Sequence, residues 1–321
     1  MCSPVCGCHP NRSGERMSGI PKFPHFKCLS LEDRKILQEF ITAFPSEASD
    51  YTFTNMFIWR AYYQIQWSIA EDWLLILYNP MQWGYYFLQP IGPPGRGEIT
   101  LRMLNWLRDV KDEPEPRIDR GDSDYVQELK EISGLSIESI RDQADYVYLS
   151  HDLIHLKGRK YHNKKNHLNK FLRSFNFSYE ELTEDVVQEC VHVLKKWCNW
   201  RECEKNLIMR AEFEAVYEAL IHYSDLNISG GLIRINRNVE AFSMGELMNG
   251  NTAIIHVEKA NPKIPGSFTI INQQFAEHQW RDVKYINREQ DLGVEGLRKA
   301  KLSYNPHHMI DKCRIRLKPS N

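Results

Sequence analysis

One order of elements occurs twice along this chain and restricts its possible folds more than any single residue does. In the first half a helix opens at Ser30, carries Leu31, Ile36, Leu37, Phe40 and Ile41 on one face, has Glu32 and Asp33 in its first turn, and ends before Pro45. A short aromatic segment follows over 52–63. The run IQWSIAEDWLLILYNP reads as two strands about the turn-like Glu71-Asp72, and Tyr85-Tyr86-Phe87-Leu88 as a third. A Gly/Pro loop from Gly92 to Gly97 then leads into a helix through Ile99, Leu101, Leu104 and Leu107, and the polar stretch 112–124 reads as loop. The second half begins with a strand at Tyr146–Leu149, continues with helical patterns over 151–173, 184–197 and 205–222, and adds three strands at 230–235, 239–244 and 252–258. A Pro/Gly loop at 261–266 precedes a last helix over 267–278. Helices, strand meander, glycine-containing loop and helix thus recur without evident residue identity. The expectation is an α+β protein of two similar lobes, 23–144 and 145–321, each a mixed, mainly antiparallel sheet flanked by helices.

The chain's 321 residues, 42% hydrophobic and 26% charged, suffice for two such cores. Its 41 basic and 42 acidic residues nearly cancel, so attraction to nucleic acid or an anionic surface must come from local clustering. No run approaches the ~18 apolar residues of a membrane span. The N-terminus lacks a basic-then-apolar signal pattern, and the eight scattered cysteines suit a reducing compartment, so a cytoplasmic protein is expected. Residues 1–22 read as a disordered leader. Within it Cys2, Cys6, Cys8 and His9 can be written as a zinc set, but no facing pair of ligands accompanies them and no metal is expected. Met17 is an alternative start, with Gly14-Glu15-Arg16 standing where a purine-rich ribosome-binding site would be translated. His151 and His155 have a chelating spacing but lack the Glu of HExxH, and Cys190, Cys198 and Cys203 read as buried, inert thiols. Walker, GxGxxG, GxSxG and zinc-finger spacings are absent.

The strongest charge cluster lies between Lys157 and Arg173. It holds Lys157, Arg159, Lys160, Lys164, Lys165, Lys170 and Arg173, with Tyr161, His162 and His167 among them and no carboxylate. Contacts to a phosphate backbone, such as a tRNA acceptor stem, are one reading; a solvated helix face is the other.

Three segments carry a resemblance: DYVYLSHDLIHLKGRKYHNKKNHLNKF (145–171), HVEKANPKIPGSFTIINQQF (256–275) and YINREQDLGVEGLRKAKLSYNPHHMIDK (285–312). They resemble the soluble C-terminal domain family of phosphatidylglycerol lysyltransferases, from about Phe23 onward. That resemblance implies two tandem acetyltransferase-like (GNAT-like) lobes and kinship with enzymes that move an aminoacyl group from aminoacyl-tRNA to lipid or peptide acceptors. Lipid-modifying relatives carry a membrane-embedded half with no counterpart in this sequence, which makes lipid the weaker expectation for the acceptor.

Coenzyme A-dependent relatives of this fold hold pyrophosphate on a Q/R-x-x-G-x-G/A loop at a helix N-terminus. Lys263 and Gly266 match its cation and first glycine, but bulky Phe268 stands at the small position, and Pro93 and Pro94 in the first lobe lack donors. In the third segment Asn287, Arg288, Glu289, Asp291 and Glu295 lie between a strand and a helix, with Lys301 and Tyr304 at that helix's far end, a polar junction of the kind that rims clefts. For aminoacyl transfer, Asp291 or Glu289 are expected to bind the ammonium, Arg288 a carboxylate or phosphate, with Asn287 and Lys301 beside it, and Tyr304 to protonate a leaving oxygen. A structural ion-pair network of Arg288, Glu289, Asp291 and Arg298 is the alternative. Arg159, Lys160, Lys164, Lys165, Lys170, Lys263 and Gly266 are the expected tRNA or phosphate contacts. The leading reading is a transferase using an aminoacyl-tRNA, with no tightly bound cofactor and an unidentified amine or hydroxyl acceptor, be it small molecule, peptide or lipid. An acyl-coenzyme A N-acyltransferase and a binding protein without turnover are the alternatives.

Overall fold

The computed structural model describes residues 19–318. The Cys2–His9 set and Met17 lie outside them, as does most of the expected leader. Its last residues are bonded into the fold: Ile69 N donates to Pro21 O and Phe23 N to Ile69 O, each at 2.9 Å. The chain divides into two compact units, 1–141 with 311–321, and 142–310.

The first unit begins with β1 (Lys27–Cys28) and α1 (Arg34–Ala43). Ahead of α1, the Asp33 carboxylate accepts from Ser30 N at 2.9 Å and Ser30 Oγ at 3.0 Å, so the cap is formed from the aspartate side. The aromatic segment is a helix, α2 (Phe53–Tyr63), capped by Thr52 Oγ1 accepting from Asn55 N at 3.1 Å. Its first six residues are all buried, so it has no amphipathic stripe to betray it. The predicted meander is present as β2 (Gln66–Ala70), β3 (Trp73–Tyr78) and β4 (Tyr86–Leu88), followed by α3 (Gly97–Val110). The expected loop over 112–124 instead contains β5 (Arg117–Gly121) and the start of α4 (Ser123–Leu129), with β6 (Leu135–Ser139) after it. Strand β5 runs parallel to β4 and is buried along its whole length.

The second unit contains β7 (Asp145–Leu149), α5 (Ser150–His155), α6 (His162–Ser174) and β8 (Phe177–Glu181). The helix expected over 151–173 is broken at Leu156 (φ 46°) and Gly158 (φ 92°). Next come α7 (Val187–Arg201), α8 (Leu207–Ile221), α9 (Tyr223–Leu226), β9 (Ser229–Ile235), β10 (Asn238–Asn249) and β11 (Thr252–Ala260). Then α10 (Ser267–Gln279), β12 (Tyr285–Asn287), α11 (Glu295–Leu302) and β13 (His308–Ile310) complete the unit. Its sheet order is β13-β7-β12-β11-β10-β9-β8. As with β4 and β5, β11 and β12 are parallel strands separated by one helix, which is the repeated motif. Cys198 and Cys203, expected as separate thiols, form a disulfide because the left-handed Glu202 (φ 50°) turns the chain back on the end of α7. No helix among the described residues is long and apolar enough to cross a membrane.

The last strand, β14 (Cys313–Leu317), departs from the expected lobe boundary. It inserts between β5 and β6 of the first sheet, whose order is β1-β2-β3-β4-β5-β14-β6. Charge explains why β5 looks like loop in sequence. The Asp119 carboxylate accepts from Arg314 Nη2 at 2.9 Å, while Asp50 pairs with both Arg120 and Lys312, all three being buried. Burial works against the Asp50 anion, but the two cations hold its carboxyl below the usual range. Polar residues thus occupy core positions as neutralised groups whose partners are distant in sequence.

Removing one member of a buried ion pair costs about 3–5 kcal/mol. Asp50→Asn strands two cations, whereas Lys312→Met leaves Asp50 paired with Arg120. Urea unfolding is therefore expected to show a loss of about 3–5 kcal/mol for Asp50→Asn and a smaller one for Lys312→Met. The reverse ranking would mean that charge compensation is not what secures β14.

Candidate active site

Strands β11 and β12 pair over only three registers, ending at Ile254↔Asn287. Beyond that point β11 continues to Ala260, while the other chain turns away: Arg288 N donates to Tyr146 O at 2.9 Å and Tyr146 N to Glu289 O at 3.2 Å. The left-handed Glu289 (φ 57°) makes this turn. His256 and Glu258, two apart and so on one face of β11, lie at the divergence.

The side chains gathered there come from β11, α6, α10 and the segments that follow β12 and α11. Arg288 Nη2 donates to both Glu258 oxygens at 3.1 and 3.2 Å, and Glu258 also accepts from Asn272 Nδ2 of α10 at 3.0 Å. The guanidinium lies 4.8 Å from the centre of the Tyr304 ring, and Lys164 Nζ of α6 lies 4.1 Å from the same ring. Burial pushes the Tyr304 phenol up to about 12 although a hydrogen bond with Thr269 opposes it, so the hydroxyl stays protonated at neutral pH. Burial and the nearby Arg288 charge draw Lys164 down to about 8, against a weaker pull from Glu258. Two polar atoms in the cluster are buried without a partner, the donor Arg288 Nη1 and the acceptor Asn272 Oδ1. Native structures leave few such groups unmatched, so an unmatched donor and acceptor in one cluster call for a ligand or water.

Of the residues predicted from sequence, the structure brings together Tyr304, Arg288 and Lys164. Four others hold the turn. Asp291 is fully enclosed, accepting from Arg298 Nε at 2.9 Å, Arg298 Nη2 at 2.8 Å and Gly293 N at 2.8 Å, and also from Tyr146. Burial opposes its charge, yet these bonds hold its carboxyl at about 2. An ammonium ligand would have to displace them, so Asp291 fits the structural ion-pair alternative. Lys301 donates to Arg288 O and Glu289 O, and Asn287 bridges Asp145 Oδ2 and Glu289 N. Glu289 itself is engaged by His256, whose ring nitrogens contact Glu289 Oε1 at 2.8 Å and Glu246 Oε1 at 2.9 Å.

The cationic run divides. Lys164 is half-buried in the cluster, Lys160 pairs with Asp152 at 3.1 Å, and Arg159, Lys165 and Lys170 are exposed. Lys263 is also exposed, 5.8 Å from the Trp200 ring. At the head of α10, Gly266 (φ 87°) is packed under α6, where an added Cβ would come within 2.8 Å of His167 O and 3.0 Å of Phe171 Cβ. Ser267 N already donates to Ile264 O at 3.1 Å and Thr269 N to Gly266 O at 2.9 Å. That loop therefore lacks the row of free N–H groups a pyrophosphate requires. Glu258, Asn272 and His256 were missed although they lie in the second resembling segment; polar His256 and Glu258 at period two on an apolar strand were the available signal. The two concavities of about 780 Å³ along α1 and about 400 Å³ along α6 include none of these cluster residues among their described linings. No group of three or more His, Cys, Asp or Glu among the described residues is placed to hold a metal ion.

Burial disfavours a charged His256, but Glu246 and Glu289 override it and raise the imidazole from 6.5 to about 9. The stability this contributes is full below about pH 6.5 and is lost as pH rises through 9. The difference in melting temperature between wild type and His256→Gln is accordingly expected to narrow between pH 6.5 and 9.5. A difference that stays constant over that range would mean the ring is held neutral.

The profile of the family described as phosphatidylglycerol lysyltransferase, C-terminal, matches residues 42–315. A conserved protein of unknown function from Bacteroides thetaiotaomicron VPI-5482 is 31% identical, with a TM-score of 0.83 over 91% of this chain and 99% of that one. L-PGS from Bacillus licheniformis aligns at 12% identity and a TM-score of 0.61, covering 90% of this chain and 93% of its own. FemX aligns at 9% identity and 0.55, covering 92% and 97%; likenesses this distant speak to fold alone. No match was found among curated protein sequences. Family and fold are those of aminoacyl or acyl transferases, and the fold is the tandem acetyltransferase-like one. On a match spanning most of its length, this chain belongs to the phosphatidylglycerol lysyltransferase C-terminal family.

Proposed function

We propose that the protein transfers an aminoacyl group from a charged tRNA to an amine or hydroxyl acceptor at the Glu258–Arg288–Tyr304 cluster. The observation that carries this reading is the pair of buried, unmatched atoms. Arg288 Nη1 needs an acceptor and Asn272 Oδ1 needs a donor, and an aminoacyl ester supplies both, as its carbonyl oxygen and its α-ammonium. Glu258, bonded to both residues, adds the charge that favours the ammonium.

In the reaction the acceptor's nitrogen or oxygen bonds to the ester carbonyl carbon, and the bond from that carbon to the ribose oxygen breaks. Arg288 Nη1, an unmatched donor on a fixed positive charge, is the group suited to the developing oxyanion. Tyr304, protonated in the resting site, is the hydrogen-bond donor available to the leaving ribose oxygen. Exposed Arg159, Lys165 and Lys170 are the phosphate contacts of the tRNA, and Lys263 is a further one. A tRNA donor places the reaction in the cytoplasm. Coenzyme A is disfavoured as donor because α6 packs on Gly266 and the adjoining N–H groups are already bonded.

The test is loss of aminoacyl ester from a pool of charged tRNAs, with hydroxylamine as a generic nucleophile. Wild type is expected to accelerate release of at least one amino acid, and Arg288→Met to slow it about 100-fold. Turnover of acetyl-coenzyme A with charged tRNA left intact would overturn the proposal, and so would tRNA binding without release. Binding itself should be salt-sensitive. Lys165→Gln with Lys170→Gln is expected to lower the slope of log affinity against log salt by about 0.7–0.9 per phosphate contact removed, and an unchanged slope would place the tRNA elsewhere.

A further inference from the structure

An attacking amine must lose a proton and a leaving ribose oxygen must gain one, yet most titratable groups around the cluster are committed. Glu258 is occupied by Arg288 and Asn272. His256 is held between two carboxylates and, charged, cannot accept a proton. Lys301 donates to two backbone carbonyls, and Asp291 is enclosed by Arg298, Tyr146 and Gly293. Tyr304 is already protonated and can give a proton but not take one. Lys164 differs from all of these. It projects from α6 onto the Tyr304 ring with its Nζ 4.1 Å from the ring centre, is half-buried, and has no hydrogen bond or ion pair among the described residues. The groups facing it are Glu258 from β11, Arg288 from the turn after β12 and Tyr304 from the chain after α11.

We infer that Lys164 is the proton carrier of the transfer, acting through its uncharged amine on the nucleophile and returning the proton by way of Tyr304. This rests on the aminoacyl reading above. As the new N–C bond forms, the Lys164 amine takes the proton of the attacking nitrogen. As the C–O bond to the ribose breaks, the Tyr304 hydroxyl gives its proton to the departing oxygen, and the Lys164 ammonium restores the phenol. No proton is gained or lost overall, and each residue ends as it began. The acidities suit these steps: an ammonium near 8 exchanges readily with the amine adduct, and it hands a proton downhill to a phenolate whose acid lies near 12. Burial and the fixed charge of Arg288 keep Lys164 in this range, and the remainder of the cationic run, facing solvent, is left to the phosphates.

Two measurements on the full chain test the inference. Competitive acylation with N-hydroxysuccinimide acetate between pH 6 and 10, read by peptide mass spectrometry, is expected to give Lys164 a reactivity midpoint near 8, below the ordinary lysine range. Lys164→Arg keeps the charge but cannot release a proton, and is expected to lower kcat about 100- to 1,000-fold with KM for charged tRNA little changed. The rise of kcat towards pH 8 should then disappear, and ethylamine should restore activity to Lys164→Ala. An ordinary lysine midpoint, or a Lys164→Arg enzyme with full kcat and an unaltered pH profile, overturns the inference while wild-type turnover leaves the aminoacyl reading standing. A wild type that leaves charged tRNA intact overturns both.

Discussion

A sheet that opens between two parallel strands gives up backbone hydrogen bonds, and the candidate site exists because this chain satisfies them by other means. After Ile254↔Asn287 the peptide groups of residues 288 and 289 no longer face β11. Arg288 N and Glu289 O are taken up by β7, Glu289 N by the Asn287 side chain, and Lys301 reaches back to the carbonyls of both residues. Buried backbone left unpaired would cost as much as a lost hydrogen bond at each group. Asn287, Lys301 and Asp291 therefore earn their burial as supports, and what they support is the orientation of Arg288.

The first unit repeats the parallel pair and the left-handed turn but uses the space differently. There β4 and β5 pair over Phe87↔Ile118 and Leu88↔Asp119, and the left-handed Arg120 (φ 64°) comes next, within β5 itself. Near that residue, Arg120 and Lys312 share the Asp50 carboxylate, with the Tyr51 hydroxyl donating to Arg120 O at 2.9 Å. One framework thus holds a buried ion cluster in each unit; in the first the donor Arg120 Nε is left unmatched, and in the second both a donor, Arg288 Nη1, and an acceptor, Asn272 Oδ1.

Much of the architecture was legible because period-two and period-3.6 patterns survive wherever one face is buried. Strands β2, β3, β9, β10 and β11 and helices α3, α8 and α10 emerge within a few residues of expectation. Helix α2 was lost because its first six residues are all buried, and β5 because its arginines and aspartate look solvated until Arg314 is placed beside them. Among site residues, Arg288 and Tyr304 were legible through the resemblance. Asp291 and Glu289 stood out for their charge, but charge alone does not distinguish a carboxylate that meets a ligand from one that has already met an arginine or histidine. Glu258 and Asn272 depend on a contact between β11 and α10 that no local spacing encodes.

The insertion of β14 between β5 and β6 also sets an order of events during synthesis. Among the described residues β6 has no neighbour in its sheet other than β14, the last of the described strands. The first unit, although it begins at the N-terminus, cannot seat β6 or neutralise Asp119 and Asp50 fully until the ribosome has released residues 312–317. The second unit, continuous from 142 to 310, has no such wait. Of the two units, the one whose translation begins first is thus the one finished last.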